Sequence, residues 1–208
     1  FRRVLFRSAI SRFSKKTAED FRSALHHIVS ESDETIEGII IDLYYNGGGS
    51  KDAVLEIADD LTRQETLLIT QGKSEDRYYS GDPEHQITNL PIAVLINNFS
   101  ASAAEVLAGI LKDYNRATII GDGASYGKAT IQTHKSFPFT DPEENAGLLL
   151  TTSHVLLPVS GSYQYHGIQP DILVQRSVEE QKIYDEYKGP KSARDYSYYL
   201  EGPSSYQQ

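Results

Sequence analysis

Residues 37–49 read E-G-I-I-I-D-L-Y-Y-N-G-G-G. The run from Glu37 to Tyr45 is short, apolar and β-branched, the pattern of a strand covered on both faces. It breaks at Asn46-Gly47-Gly48-Gly49, and Ser50 then stands where it can cap a helix. Val54, Ile57, Ala58 and Leu61 share one face of that helix, and Asp52 sits favourably near its positive end. Strand, glycine turn and helix make one α/β unit. Upstream, Ala18, Phe21, Ala24, Leu25 and Ile28 fall at helical spacing between Thr17 and Val29. That helix carries His26 and His27, whose adjacent positions point in two directions, so solvated histidines outweigh a metal site.

Downstream, Glu65–Thr70 and Ile92–Asn97 read as further buried strands, separated by a polar stretch that must be loop or exposed hairpin. The second runs into Asn98-Phe99-Ser100-Ala101-Ser102. Ala103, Val106, Leu107, Ile110 and Leu111 then predict a helix ending near Tyr114, followed by a strand at Ala117–Ile120. A strand feeding a small-residue turn and a helix is where an open α/β sheet tends to place its chemistry. After Gly127-Lys128 the pattern changes to alternation, with Ala129, Ile131 and Thr133 opposed to Thr130, Gln132 and His134, and Leu148–Leu157 is again β-rich. The second half is therefore mixed α and β. From residue 177 to 208 the chain turns polar and tyrosine-rich, with a short helix expected from Val178 to Tyr187 and then a Gly, Pro and Ser tail.

With 208 residues, 39% hydrophobic and 24% charged, the chain has the composition of one soluble domain. No apolar run approaches the ~20 residues of a membrane helix, so no transmembrane segment is expected in this fragment. Lys and Arg total 20 against 29 Asp and Glu, a formal charge of -9 that argues against nucleic acid or an anionic membrane surface as partner. The absence of cysteine removes disulfides and thiolate zinc sites from consideration. Residues 1–8, F-R-R-V-L-F-R-S, fit poorly with the rest of the chain and resemble the reading-frame translation of a common sequencing adapter, so they are set aside from fold reasoning. Removing Arg2, Arg3 and Arg7 from the 20 basic residues leaves 17. The expectation is that the natural N-terminus was lost upstream.

Three local patterns compete for the chemistry. Gly123-Ala124-Ser125-Tyr126-Gly127 satisfies G-x-S-x-G, which would make Ser125 the nucleophile of an α/β-hydrolase, but that elbow needs a helix directly after the serine and the following residues alternate like a strand. Gly127-Lys128 could close a phosphate-binding loop, but Asp122 stands at its first glycine and Ala129 at its Ser/Thr position. The third pattern joins Ser102, at the start of a strong helix, to Lys128 and to Gln132 four residues on. A serine hydroxyl needs a base, and a lysine serves as one when burial lowers its pKa. Ala101, Ala103, Ala104, Tyr126 and Ala129 supply small or apolar neighbours, and a helix N-terminus at Ser102 aims N–H groups at a developing oxyanion. Spacing alone leaves open the alternative of a helix cap and a solvated lysine.

Four ordered blocks between about Thr17 and Val174 resemble the carboxyl-terminal processing peptidases, or tail-specific proteases. Ile39–Gly49 resembles their D-L-R-x-N-P-G-G turn, Phe99–Tyr114 their S-A-S-A-[SA]-E block, Gly127–Gln132 their G-K-x-x-x-Q, and Gly147–Ile172 their final strand with G-[IV]-x-P-D. The resemblance implies a serine endopeptidase with Ser102 as nucleophile, Lys128 as general base and Gln132 orienting the amine. It implies an oxyanion hole from the amides of Ala103 and Gly48, no metal and no organic cofactor. The implied fold is the ClpP/crotonase-like α/β class of repeated ββα units, with a single peptidase core at 9–176, an absent upstream PDZ domain and a C-terminal extension at 177–208. Substrates would be proteins or peptides with accessible C-terminal tails, docked as an added strand, and the location would be the bacterial periplasm or cell envelope. Tyr44 stands at the family's arginine, Gly47 at its proline and Ala129 at its glycine, and the loop before Lys128 is one residue longer. A non-catalytic scaffold or ligand-binding descendant of the same fold is the alternative from another class.

Overall fold

The computed structural model describes residues 4–31, 35–138 and 145–175, together with 178, 179 and 182. The chain divides into two units, 1–174 and 175–208, and all the named elements belong to the first. The expected helix at Val178–Tyr187 and the tail after it lie outside the described residues, apart from those three positions.

Two sheets make up the first unit. Strands β1 (Val4–Ala9), β2 (Ile36–Asp42), β5 (Ile92–Ile96), β6 (Ala117–Gly121) and β9 (Ile172–Leu173) form a parallel sheet in that order. Strands β3 (Thr66–Gly72), β4 (Asp76–Ser80), β7 (Thr130–Pro138) and β8 (Asn145–Leu156) form an antiparallel one, ordered β4-β3-β8-β7. Helices α1 (Thr17–Glu31), α2 (Lys51–Leu61) and α3 (Ala103–Asp113) connect parallel neighbours, with α2 packed on both α1 and α3. The parallel sheet grows in one direction along the sequence, so it has no point where strand order reverses. A cleft is instead walled jointly by the loops after β2 and β5 and by residues of the second sheet.

The α/β class and the element sequence agree with the reading of the sequence. Ser50 caps α2, its hydroxyl accepting the Ala53 N–H at 3.3 Å, and the four apolar positions of that helix are fully buried. The polar stretch after β3 contains the hairpin strand β4. The both-faces expectation for β2 needs correction. Ile39, Ile41 and Leu43 are buried on one side, whereas Ile40 and Asp42 on the other are only half-buried. Setting residues 1–8 aside also misses structure, because positions 4–8 lie in the edge strand β1. Parallel pairing uses backbone groups that any residue offers. Here the alternation of V-L-F-R-S-A also turns Phe6 inward against Phe21, with ring centroids 6.3 Å apart, and pairs Arg7 with Asp42.

Candidate active site

The carboxyl ends of the neighbouring strands β2 and β5 carry two loops, and two buried asparagines stitch them together. Asn46 donates its Nδ2 to the Ile10 carbonyl at 2.7 Å and accepts the Gly48 N–H on Oδ1 at 2.8 Å, while its own carbonyl takes the Ala101 N–H at 2.9 Å. Asn97 accepts the Tyr45 and Phe99 N–H groups on Oδ1, at 3.2 and 3.1 Å. Ser100 Oγ donates across to the Leu43 carbonyl at 2.7 Å. The glycine turn and the serine turn are thereby held side by side.

Ser102 follows at φ 56°, ψ -115°, as the residue before α3. A positive φ in a residue with a Cβ costs about 1–3 kcal/mol and is retained where the surroundings enforce it. This is the strained strand-to-helix turn that exposes a nucleophile in hydrolytic enzymes. It occurs at Ser102 and not at Ser125, where G-x-S-x-G would put it.

The strain is enforced by Glu105, one turn into α3 and fully buried. Its Oε2 accepts the Ser102 N–H at 2.7 Å and the Lys128 N–H at 2.9 Å, and its Oε1 accepts the Ser125 hydroxyl at 2.6 Å and the Gly127 N–H at 2.5 Å. Burial pushes this carboxyl above the usual range, against the pull of those four donors. The carboxylate therefore ties the β5–α3 turn to the loop that carries Lys128. The extra residue in that loop leaves Lys128 in the same cleft as Ser102. Gly127 makes the approach possible at φ +88°, since a Cβ there would meet the Tyr165 backbone at 2.9 Å.

Ser125 is buried, and its hydroxyl is engaged on both sides, donating to Glu105 and accepting the Ile168 N–H at 2.7 Å. No helix follows it. It is a strut in this structure. His26 and His27 are exposed on α1, and among the described residues no group of three His, Cys, Asp or Glu is placed to hold a metal ion. Ala129 is fully buried and donates its N–H to Gln164 Oε1 at 2.6 Å.

A cleft of about 420 Å³ opens between the two loops and the antiparallel sheet. Ser102, Ala103, Lys128 and Gln132 line it, together with Gly47 and Gly49. Lys128 is half-buried, and loss of hydration draws its pKa below the ordinary 10.5 while the Glu105 charge opposes the shift. The Ala103 N–H stands at the first helical position, where the helix offers it no acceptor. Gly48 differs from the sequence expectation. Its N–H is committed to Asn46 Oδ1, and Gly47 and Gly49 rather than Gly48 face the cleft. Gly48 nonetheless abuts Ser102, for a Cβ on it would lie 2.9 Å from Ser102 Cβ.

Sequence reasoning assigned no role to Glu105, although Ser102-x-x-Glu105 has the spacing of a capping box. Nor did it single out Tyr163, which also lines the cleft.

Residues 9–174 match peptidase family S41. A carboxy-terminal-processing protease of Bartonella bacilliformis is 36% identical over 186 residues, covering 88% of this chain and 42% of its own length. The carboxy-terminal processing protease CtpB of Bacillus subtilis is 32% identical, with coverages of 81% and 33%. The chain thus spans less than half the length of these relatives. Among solved structures, a photosystem II D1 C-terminal processing protease superposes with a TM-score of 0.70 at 28% identity, over 82% of this chain and 42% of its own. With a match that spans most of its length and relatives above 30% identity, the chain belongs to peptidase family S41.

Proposed function

We propose that this chain is the catalytic core of a serine endopeptidase that cleaves protein tails through an acyl-enzyme. The observation that carries the reading is the convergence of Ser102 and Lys128 on one cleft, both fixed through Glu105. Ser102 Oγ attacks the scissile carbonyl as the Lys128 amine takes its proton. The resulting ammonium gives that proton to the leaving amine, and a water, deprotonated by the same lysine, then releases the acyl group. Gln132 orients the amine from β7. The Ala103 N–H is one oxyanion donor, and Gly48 is the second once its N–H turns from Asn46 to the substrate. Loss of one such donor costs ~3–4 kcal/mol in the transition state.

Substrates are flexible polypeptides, added as a strand beside β7, the edge of the antiparallel sheet next to Lys128. Relatives occur in bacteria and in chloroplasts, and a carboxyl-terminal-processing peptidase of Arabidopsis thaliana is named chloroplastic. For this protein the compartment we propose is the periplasm or cell envelope. Among the described residues no helix is long and apolar enough to cross a membrane.

A serine-directed fluorophosphonate followed by peptide mapping tests the assignment. The expected adduct is on Ser102 and disappears in Lys128→Ala. An adduct on Ser125 would overturn it, and absence of both adduct and hydrolysis in the full-length protein would favour the scaffold alternative.

A further inference from the structure

Tyr163 lines the same cleft, is 4% exposed, and has a hydroxyl sealed from solvent with no hydrogen-bond partner among the described residues. Buried hydroxyls are seldom left in this condition, because the lost hydration is not replaced. The backbone at Tyr163 is held in a turn: its carbonyl accepts N–H groups from His166 and Gly167, at 3.2 and 2.9 Å. The two residues that follow it are bonded to the chain neighbours of Lys128. Gln164 Oε1 takes the Ala129 N–H at 2.6 Å, and the Tyr165 N–H reaches the Gly127 carbonyl at 2.9 Å. The segment that carries the orphan hydroxyl is therefore laced on both sides to the segment that carries the base.

Resting on the Ser–Lys reading, we propose that Tyr163 is a positioning residue whose hydroxyl oxygen, unpartnered in this structure, accepts a hydrogen bond from the Lys128 amine once that amine turns to the Ser102 hydroxyl. The valence of a neutral amine gives the reason. To serve as a base, Nζ must aim its single lone pair at the Ser102 hydroxyl, which leaves two N–H groups needing acceptors. Gln132 supplies one and Tyr163 the other, so that both rotations of the amine are fixed. Burial and the nearby Glu105 charge push the Tyr163 pKa well up, so the ring stays a neutral phenol and does not compete for the serine proton. Among the described residues, the charge that acts on Lys128 is that of Glu105 from α3, and Lys51 from α2 lines the same cleft. Lys51 lies over the Tyr79 ring and pairs with Asp52.

The test titrates Lys128 by NMR in protein labelled with 13C-lysine, with Lys128→Arg to assign the signal, comparing wild type with Tyr163→Phe. Removing an acceptor of the ammonium should lower the Lys128 midpoint by about half a pH unit or more. In the active protein the acid limb of kcat should move down with it, while the plateau falls about tenfold from lost orientation. An orphan hydroxyl with no role predicts a higher melting temperature for Tyr163→Phe with midpoint and kcat unmoved, and that result overturns the proposal. Because the NMR arm needs no turnover, its failure is distinct from failure of the protease reading. Should Tyr163→Phe misfold, 3-fluorotyrosine placed at position 163 keeps the shape with a weaker acceptor. It should lower the midpoint in the same direction, and no movement there is equally fatal.

Discussion

Ser102 and Lys128 donate their backbone N–H groups to one oxygen, Glu105 Oε2, at 2.7 and 2.9 Å. The proposed nucleophile and base are thus registered through their backbones by one buried carboxylate. Glu105→Gln puts an NH2 where two donors already point, because each carboxylate oxygen accepts from two groups. The expected result is a loss of about 2–5 kcal/mol in denaturant-measured stability and a fall in kcat of at least about a hundredfold. Glu105→Gln with wild-type turnover would show that the registration is dispensable.

The backbone at Ser102 stores strain that a side chain makes worse. Ser102→Ala removes the hydroxyl and keeps the Cβ at φ 56°, while Ser102→Gly removes both. Both variants should be inactive, and the glycine variant should be the more stable by about 1 kcal/mol in equilibrium unfolding. Equal stabilities would mean that the turn is relaxed in solution.

Much of this arrangement is legible in the sequence because it is local. The β-branched run of β2, the cap at Ser50, the apolar face of α3 and the alternation of β7 each follow from a few neighbouring residues. The second sheet is not legible that way, since the pairing of β3 with β8 joins residues such as Ile69 and Leu156 that no local period links. Gly48 shows the same limit within the site. Its place in the turn is readable from N-G-G-G, but whether its N–H faces the cleft depends on where Asn46 turns its amide oxygen. Glu105 reads as an ordinary first-turn acid until Gly127, Lys128 and Ser125 arrive from a distant segment.

The three glycines of the turn should respond differently to alanine. A Cβ on Gly47 meets nothing within 4 Å, whereas on Gly48, at φ +105°, it would press on Ala101 and Ser102, and on Gly49, at φ +139°, it would come within 2.0 Å of the Phe13 carbonyl oxygen. Thermal unfolding should rank Gly47→Ala within about 0.5 kcal/mol of wild type, with losses of about 2 kcal/mol or more at the other two. Gly48→Ala should also slow acylation of Ser102 by a fluorophosphonate, because the pressed atom is Ser102 Cβ.

The depressed pKa of Lys128 makes a prediction about stability with a definite sign. In the unfolded chain the amine titrates at its ordinary value of 10.5, and in the folded protein burial brings that midpoint lower. Between the two values the unfolded chain binds more protons, so stability rises with pH across that window. Below the folded midpoint both states are charged and the cost of burying the ammonium is present in full. Lys128→Met should therefore be more stable than wild type at neutral pH, with an advantage that shrinks as pH climbs from the folded midpoint towards the unfolded one. Urea denaturation from about pH 6 to about pH 10.5 checks this, and the acid limb of kcat/KM should fall at the lower edge of the same window. A difference between the two proteins that stays flat throughout would mean that the lysine is solvated, and Lys128 would then have no claim to be the base.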